Sequence, residues 1–160
     1  MTNPPPISTT ATPFPTRSKT ASKLIANIPT TATSLFFADK ILITISQRGK
    51  LAHWLHVPLT SSTPTSSLAS LATDPYDPSA YPPSDLLPLP HLTATTVLGG
   101  TVAGLDTVGQ VLATQLASAV VQRDGEEKRT MIVGLGLERR GNGVGREEWE
   151  ELVGLGLDVI

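Results

Sequence analysis

Apolar and polar residues alternate with a period of two through much of the first third of the chain, the repeat of a strand whose successive side chains face opposite ways. Leu24, Ala26 and Ile28 fall on one side, with Lys23, Ile25 and Asn27 on the other, and Pro29 closes this first run. Residues 33–38 (TSLFFA) form a short β-prone stretch. A tight turn at Asp39-Lys40 then leads into residues 40–46 (KILITIS), where Ile41, Ile43 and Ile45 oppose Leu42 and Thr44. This pair reads as a hairpin. In Gln47-Arg48-Gly49-Lys50 the glycine can take the positive φ of a tight reversal, which predicts that residues 51–59 (LAHWLHVPL) fold back as the next strand. Pro58 must then lie near the end of that strand or on an edge.

The pattern breaks at residue 60. Residues 60–91 are dense in Pro, Ser and Thr, a composition that cannot offset its ordering entropy, and they read as a disordered insertion. Residues 92–98 (LTATTVL) resume the sheet and stop at Gly99-Gly100. From residue 105 to 122 the spacing becomes helical, with Leu105, Val108, Val111, Leu112, Leu116, Ala119 and Val120 on one stripe. Thr107 with Gln110 matches a capping box, Asp106 is the competing cap, and Gly125 marks a stop. Residues 128–137 (KRTMIVGLGL) return to strand, with Met131, Val133, Leu135 and Leu137 on one face and Ile132, Gly134 and Gly136 on the other. Two glycines on one face leave room for a helix to approach. After the loop at residues 140–145, residues 146–157 form a second helix, with Trp149, Leu152, Val153 and Ile160 near one side and Glu147, Glu148, Glu150 and Glu151 suiting its N-terminal half. A run of strands followed by helix, strand and helix predicts an α+β domain: an antiparallel sheet of five to six strands, two helices on one face, the other face available for dimerisation.

The length of 160 residues favours one domain. Residues 1–18, with Pro4, Pro5, Pro6, Pro13 and Pro15, read as a disordered tail, and residues 19–160 as the domain interrupted at 60–91. About 110 residues remain to build the core, a small number by surface-to-volume scaling. Lys+Arg 12 against Asp+Glu 14 gives a net charge of -2, too weak a field to gather polyanions or coat an anionic surface, so neither nucleic acid nor a membrane is expected as partner. The chain has no cysteine, which fits a reducing compartment and removes disulfides, thiolate metal sites and a cysteine nucleophile. No apolar run near the N-terminus has the length of a secretory signal, and the prolines there would break the amphipathic helix of a transit peptide despite Arg17, Lys19 and Lys23. The expected location is the cytoplasm, with the nucleus a further compartment.

The search for chemistry returns little. His53 and His56 are three apart on a strand and point to opposite faces, so they cannot share a metal there, and His91 is remote in sequence. The glycines from Gly134 to Gly145 lack the order of strand, glycine turn and helix N-terminus, and the acidic residue, of a dinucleotide site. VGLGL occurs at Val133 and again at Val153, in elements of different type, which is no structural repeat. No G-x-S-x-G elbow is present, and the acids gather on the last helix rather than pairing across a cleft. Pro75-Tyr76-Asp77-Pro78 has P-x-x-P spacing inside a segment where such spacing arises by chance. No enzyme is expected, and no catalytic, cofactor or metal residues are assigned.

The surfaces say more. Leu42 opposes Ile41, Ile43 and Ile45, Phe36 opposes Leu35 and Phe37, and Trp54 opposes Leu51, Leu55 and Val57, so several strands are apolar on both faces. An antiparallel sheet in a monomer usually leaves one face polar. Two helices cover one face, and the other should pair with a second sheet, from a copy of this chain or a paralogue.

The ordered segments KLIANIPTTATSLFFADKILITISQRGKLAHWLHVPL, TATTVLGG, QLASAVVQ, TMIVGLGLE and EEWEELVGL resemble the proteasome assembly chaperone 3 family in its fungal-type form. The resemblance runs from Lys19 to the C-terminus outside the insertion. Its most specific details are the Ile28-Pro29 step, the strand-turn-strand with Gln47, Gly49 and Lys50, and the strand end at Val97-Leu98-Gly99. It implies a non-enzymatic chaperone that dimerises, commonly with a paralogous chaperone, and assists assembly of the 20S proteasome α-ring by transiently holding an α subunit. It further points to Arg48, Gly49 and Lys50 at a hairpin tip, and to Trp54, as partner contacts. The long insertion and the extended N-terminus depart from the family pattern. The competing function is a small scaffolding or adaptor module that recruits partners through its Pro-rich insertion.

Overall fold

The computed structural model describes residues 16–60, 88–102, 104–138 and 144–160. Among them six strands form one sheet: β1 (Arg17–Ile25), β2 (Ile28–Phe36), β3 (Lys40–Gln47), β4 (His53–Pro58), β5 (Thr95–Leu98) and β6 (Thr130–Gly136). Helix α1 (Leu105–Arg123) precedes β6 and α2 (Arg146–Asp158) follows it. The spatial order is β1-β2-β3-β6-β4-β5.

The α+β class is as predicted, and the sheet is mostly antiparallel. Two features of the predicted topology are corrected. β4 does not pair with β3, because β6 lies between them, parallel to β3 through Ile41↔Met131 and Ile43↔Val133 and antiparallel to β4 through Leu55↔Val133. The Arg48-Gly49 turn is present, with φ of 54 and 73, yet the chain crosses the end of β6 instead of reversing beside β3. The crossing is close: Ala52 N donates to Leu135 O at 2.9 Å, and a Cβ on Gly136 would lie 1.5 Å from Lys50 O. Gly136 is thus a glycine because backbone occupies the place of its side chain.

Pro29 does not end the first run. Ala26 and Asn27, with φ of 49 and 65, form a two-residue hairpin turn between β1 and β2, and Pro29 is the second residue of β2. It lies one position before the first β3 partner, Thr30↔Gln47, so its missing N–H takes nothing from that ladder. β1 begins at Arg17, inside the predicted tail, whose remainder up to residue 15 lies outside the described residues. Most of the predicted insertion, including Pro75 and Pro78, and the loop at 140–143 also lie outside them. The end of the insertion is docked: Leu89 packs on the core, and its N–H donates to Ser118 Oγ at 2.8 Å. The strand predicted at 92–98 shortens to four residues, with Leu92 buried ahead of it.

One sheet face and both helices share the core. Ile41, Ile43 and Ile45 of β3, Leu55 and Val57 of β4, and Met131, Val133 and Leu135 of β6 are buried with Leu112, Leu116 and Val120 of α1 and Leu152 and Leu155 of α2. α1 lies on the β4, β5 and β6 side, α2 on β1 and β2, and the helices pack on each other. Their contact is tight at Gly156, where a Cβ would lie 2.6 Å from Leu116 Cδ2. Two helical details differ from expectation. The inward face of α1 keeps Leu112, Leu116 and Val120 of the expected stripe and adds Gly109, Ala113 and Ala117, small residues that let the helix sit close to the sheet, while Val111 is exposed. The capping box does not form: the N-cap is Gly104, and Gln110 Nε2 donates to Asp106 Oδ2 at 2.8 Å within the first turn.

Candidate protein interface

The sheet face turned away from the helices can be followed row by row from the registers. One row runs Thr20, Thr33, Thr44, Gly134, Trp54, Leu98; the next runs Ser18, Leu35, Leu42, Ile132, His56, Thr95. Leu35, Leu42, Ile132, Trp54 and His56 are all half-buried, whereas their neighbours along each strand on the helix side are buried, except Phe36, which is partly buried against the core. Among the described residues both helices pack on that other side.

The open face is divided. Toward β1 it is hydroxylic, with Thr20 hydrogen-bonded to Thr33 at 3.2 Å and Ser22 to Thr31 at 2.9 Å. Toward β5 it is apolar. There Lys40, Trp54, His56, Val97, Leu98, Thr130 and Ile132 line an open groove of about 430 Å³. Val97 and Leu98 stand 65% and 66% exposed, in a strand where alternation would normally bury one of two neighbours. The register shift between Trp54 and Leu55 accounts for this, since a bulge turns two consecutive side chains outward.

Trp54 is the floor of this region. Its ring lies across Gly134, where a Cβ would approach Cζ3 to 2.8 Å. The glycine face of β6 therefore admits an indole and not a helix, which corrects the sequence reading. The other three predicted contacts lie elsewhere. Arg48, Gly49 and Lys50 are exposed at the end of the sheet, with Arg48 Nε 2.8 Å from Glu138 Oε1 and the Lys50 carbonyl over Gly136. Ile132, Leu98 and His56 were not assigned from sequence. Only the register of β4 on β6 aligns them with Trp54, and the predicted neighbour of β4 was β3.

Among the described residues, the charge beside the groove lies at its rim, where Lys40 joins the lining. Lys40 pairs with Asp39, and this contact with the ammonium holds the Asp39 carboxyl below its ordinary range. Behind the β2–β3 turn, Arg129 donates from Nη1 to Phe37 O at 2.8 Å and from Nε to Glu127 Oε1 at 2.8 Å. The hydrogen-bonded guanidinium lowers the Glu127 pKa against the opposing effect of burial, and Arg129 is raised in turn. Among the described residues no group of three or more His, Asp or Glu stands close enough to hold a metal ion, and no helix is long and apolar enough to cross a membrane.

Among the described residues, this is the architecture of an α+β module with one face sealed by its own helices and the other half apolar and open. No family model matches the sequence, and no curated protein does. Among solved structures, the fold is similar to a chain in the crystal structure of a novel chaperone complex for yeast 20S proteasome assembly, with a TM-score of 0.57 at 12% identity. The match covers 89% of this chain and 97% of that one.

Proposed function

We propose that this chain is a non-enzymatic chaperone of 20S proteasome assembly that binds other proteins through the open face of its sheet. The observation that carries this reading is the groove of Trp54, Ile132, Val97 and Leu98, apolar surface that the chain's own helices leave uncovered. The fold of the yeast assembly chaperone complex, matched over nearly the whole chain, supplies the biological context. On this reading the apolar half of the face joins a paralogous chaperone or a second copy, and the dimer transiently holds an α subunit during α-ring formation. Trp54 lies in the dimer contact, and the exposed tip of Arg48, Gly49 and Lys50 is available to the α subunit. The cytoplasm and nucleus are the compartments in which this work would occur.

Affinity purification of the full chain from its native cell, with identification of the proteins recovered, tests the proposal. Recovery of proteasome α subunits together with a second small chaperone is the expected result, and it should be lost with Leu98→Asp. Recovery of neither from wild type overturns it.

A further inference from the structure

On the helix side of β5, behind the groove, three elements meet in a polar cluster. Asp106 Oδ1 of α1 accepts from Thr96 Oγ1 of β5 at 2.7 Å and lies 3.2 Å from His53 Nε2 of β4. With its own proton committed to Asp106, Thr96 Oγ1 can only accept from His53 Nε2, 3.1 Å away, so that nitrogen carries a proton. The second carboxylate oxygen accepts from Gln110. One carboxylate thereby joins β4, β5 and the first turn of α1.

The backbone is shaped around this cluster. A Cβ on Gly100 would lie 2.7 Å from Asp106 Oδ1, and one on Gly109 would lie 2.7 Å from His53 Nδ1. Gly109 is inside a helix, where alanine would be the better helix former, so its small size is retained at a cost to propensity. Both glycines leave the space that the imidazole and the carboxylate occupy.

β5 has little else to hold it. Among the described residues it is four residues long, pairs only with β4, and exposes Thr95, Val97 and Leu98. Thr96 alone among its side chains points toward α1, and its partners are Asp106 and His53. We propose that Asp106 is a positioning residue for the docking groove. Through Thr96 and His53 it fixes β5 beside Trp54, so that Val97 and Leu98 form a firm wall instead of a fraying edge. The inference rests on the open face being the interface, and it names the device that keeps that face ready to bind.

Amide hydrogen exchange on the full chain reads the latch without any partner. Thr96→Val is isosteric and Asp106→Asn keeps the Oδ1 acceptor, so both should fold. In Thr96→Val and Asp106→Ala the amides of β5 should exchange about tenfold faster, with β3 and β6 unchanged. Asp106→Asn should restore protection, and Gly109→Ala should lose it despite better helix propensity. Uniform acceleration across the sheet, or an unchanged β5, overturns the latch. Binding is read separately in pull-down of the co-expressed small chaperone that joins this face: Leu98→Asp should abolish capture and Asp106→Ala weaken it about tenfold. Capture that survives Leu98→Asp removes the interface reading and leaves the exchange result standing. Capture lost with Leu98→Asp but untouched by Asp106→Ala and Thr96→Val removes the latch alone.

Discussion

Gly134 and Trp54 show how one absent side chain shapes a surface. Three atoms of the Trp54 ring lie 2.8 to 3.1 Å from where a Cβ on Gly134 would stand, so alanine there must lift the indole off the sheet. The ring is the outer end of a side chain and can turn, so Gly134→Ala should cost only about 1 kcal/mol, and the change should appear at the surface rather than in the core. In a Trp149→Phe background, leaving Trp54 the single tryptophan, its emission should move to longer wavelength and partner capture should fall. Unchanged emission would mean that the indole does not rest on Gly134. Glu127 supports the turn beside the groove in another way, through Arg129 and its bond to Phe37 O. Its folded-state pKa is lowered, so its contribution is fully present above the ordinary glutamate range and is lost as the pH falls through that range to the lowered value. Glu127→Gln should therefore cost about 1 kcal/mol at neutral pH. Urea unfolding of both proteins in an acid series should show the difference shrinking, and a gap constant down to the lowest pH would contradict the pairing.

At the scale of elements, the sheet depends on how the chain passes from β3 to β4. The segment Lys50 to Ala52 runs over the end of β6, against Gly136, with no space for even a methyl group. Since the obstructing atom is backbone, Gly136→Ala should cost about 3 kcal/mol, near the upper end for overpacking, and should lower the urea midpoint. Gly154→Ala, where nothing stands within 4 Å, should instead be neutral or stabilising and serves as the control. This crossing also shows what sequence could and could not reveal. The alternation of Ile41, Ile43 and Ile45 specified β3 and its inward face, and helical spacing placed α1 and α2 to within a residue or so, because both are local properties. The placement of β6 between β3 and β4 is set by the return of the chain after α1, and no local pattern encodes it. The same ignorance of register hid the alignment of Ile132, His56 and Leu98 with Trp54. By size and apolarity Val111 reads as inward, yet beside Leu112 and Leu116 the close seat of α1 selects Gly109, Ala113 and Ala117 for smallness and leaves Val111 exposed.

For the whole molecule, the two halves of the open face should behave differently in association. The hydroxyls of β1 and β2 already satisfy one another, so they lose little by staying in water. The groove between β6 and β5 presents Trp54, Ile132, Val97 and Leu98, and Lys40 is the one formally charged residue in its lining. Contact driven from this half should be nearly independent of salt, because burial of apolar surface is not screened. Val97 and Leu98 are already exposed in the lone chain, so Val97→Asp and Leu98→Asp should change the urea midpoint by no more than about 0.5 kcal/mol equivalent. The same variants should abolish binding, since each would place an unpaired carboxylate in a desolvated contact. Thr33→Asp, on the hydroxylic half, should bind nearly as wild type. Titrating captured partner against sodium chloride with these three variants separates the outcomes. An affinity that collapses with salt, or a Thr33→Asp defect as deep as that of Leu98→Asp, would move the contact off the apolar half and onto the charged rim or the hydroxyl rows.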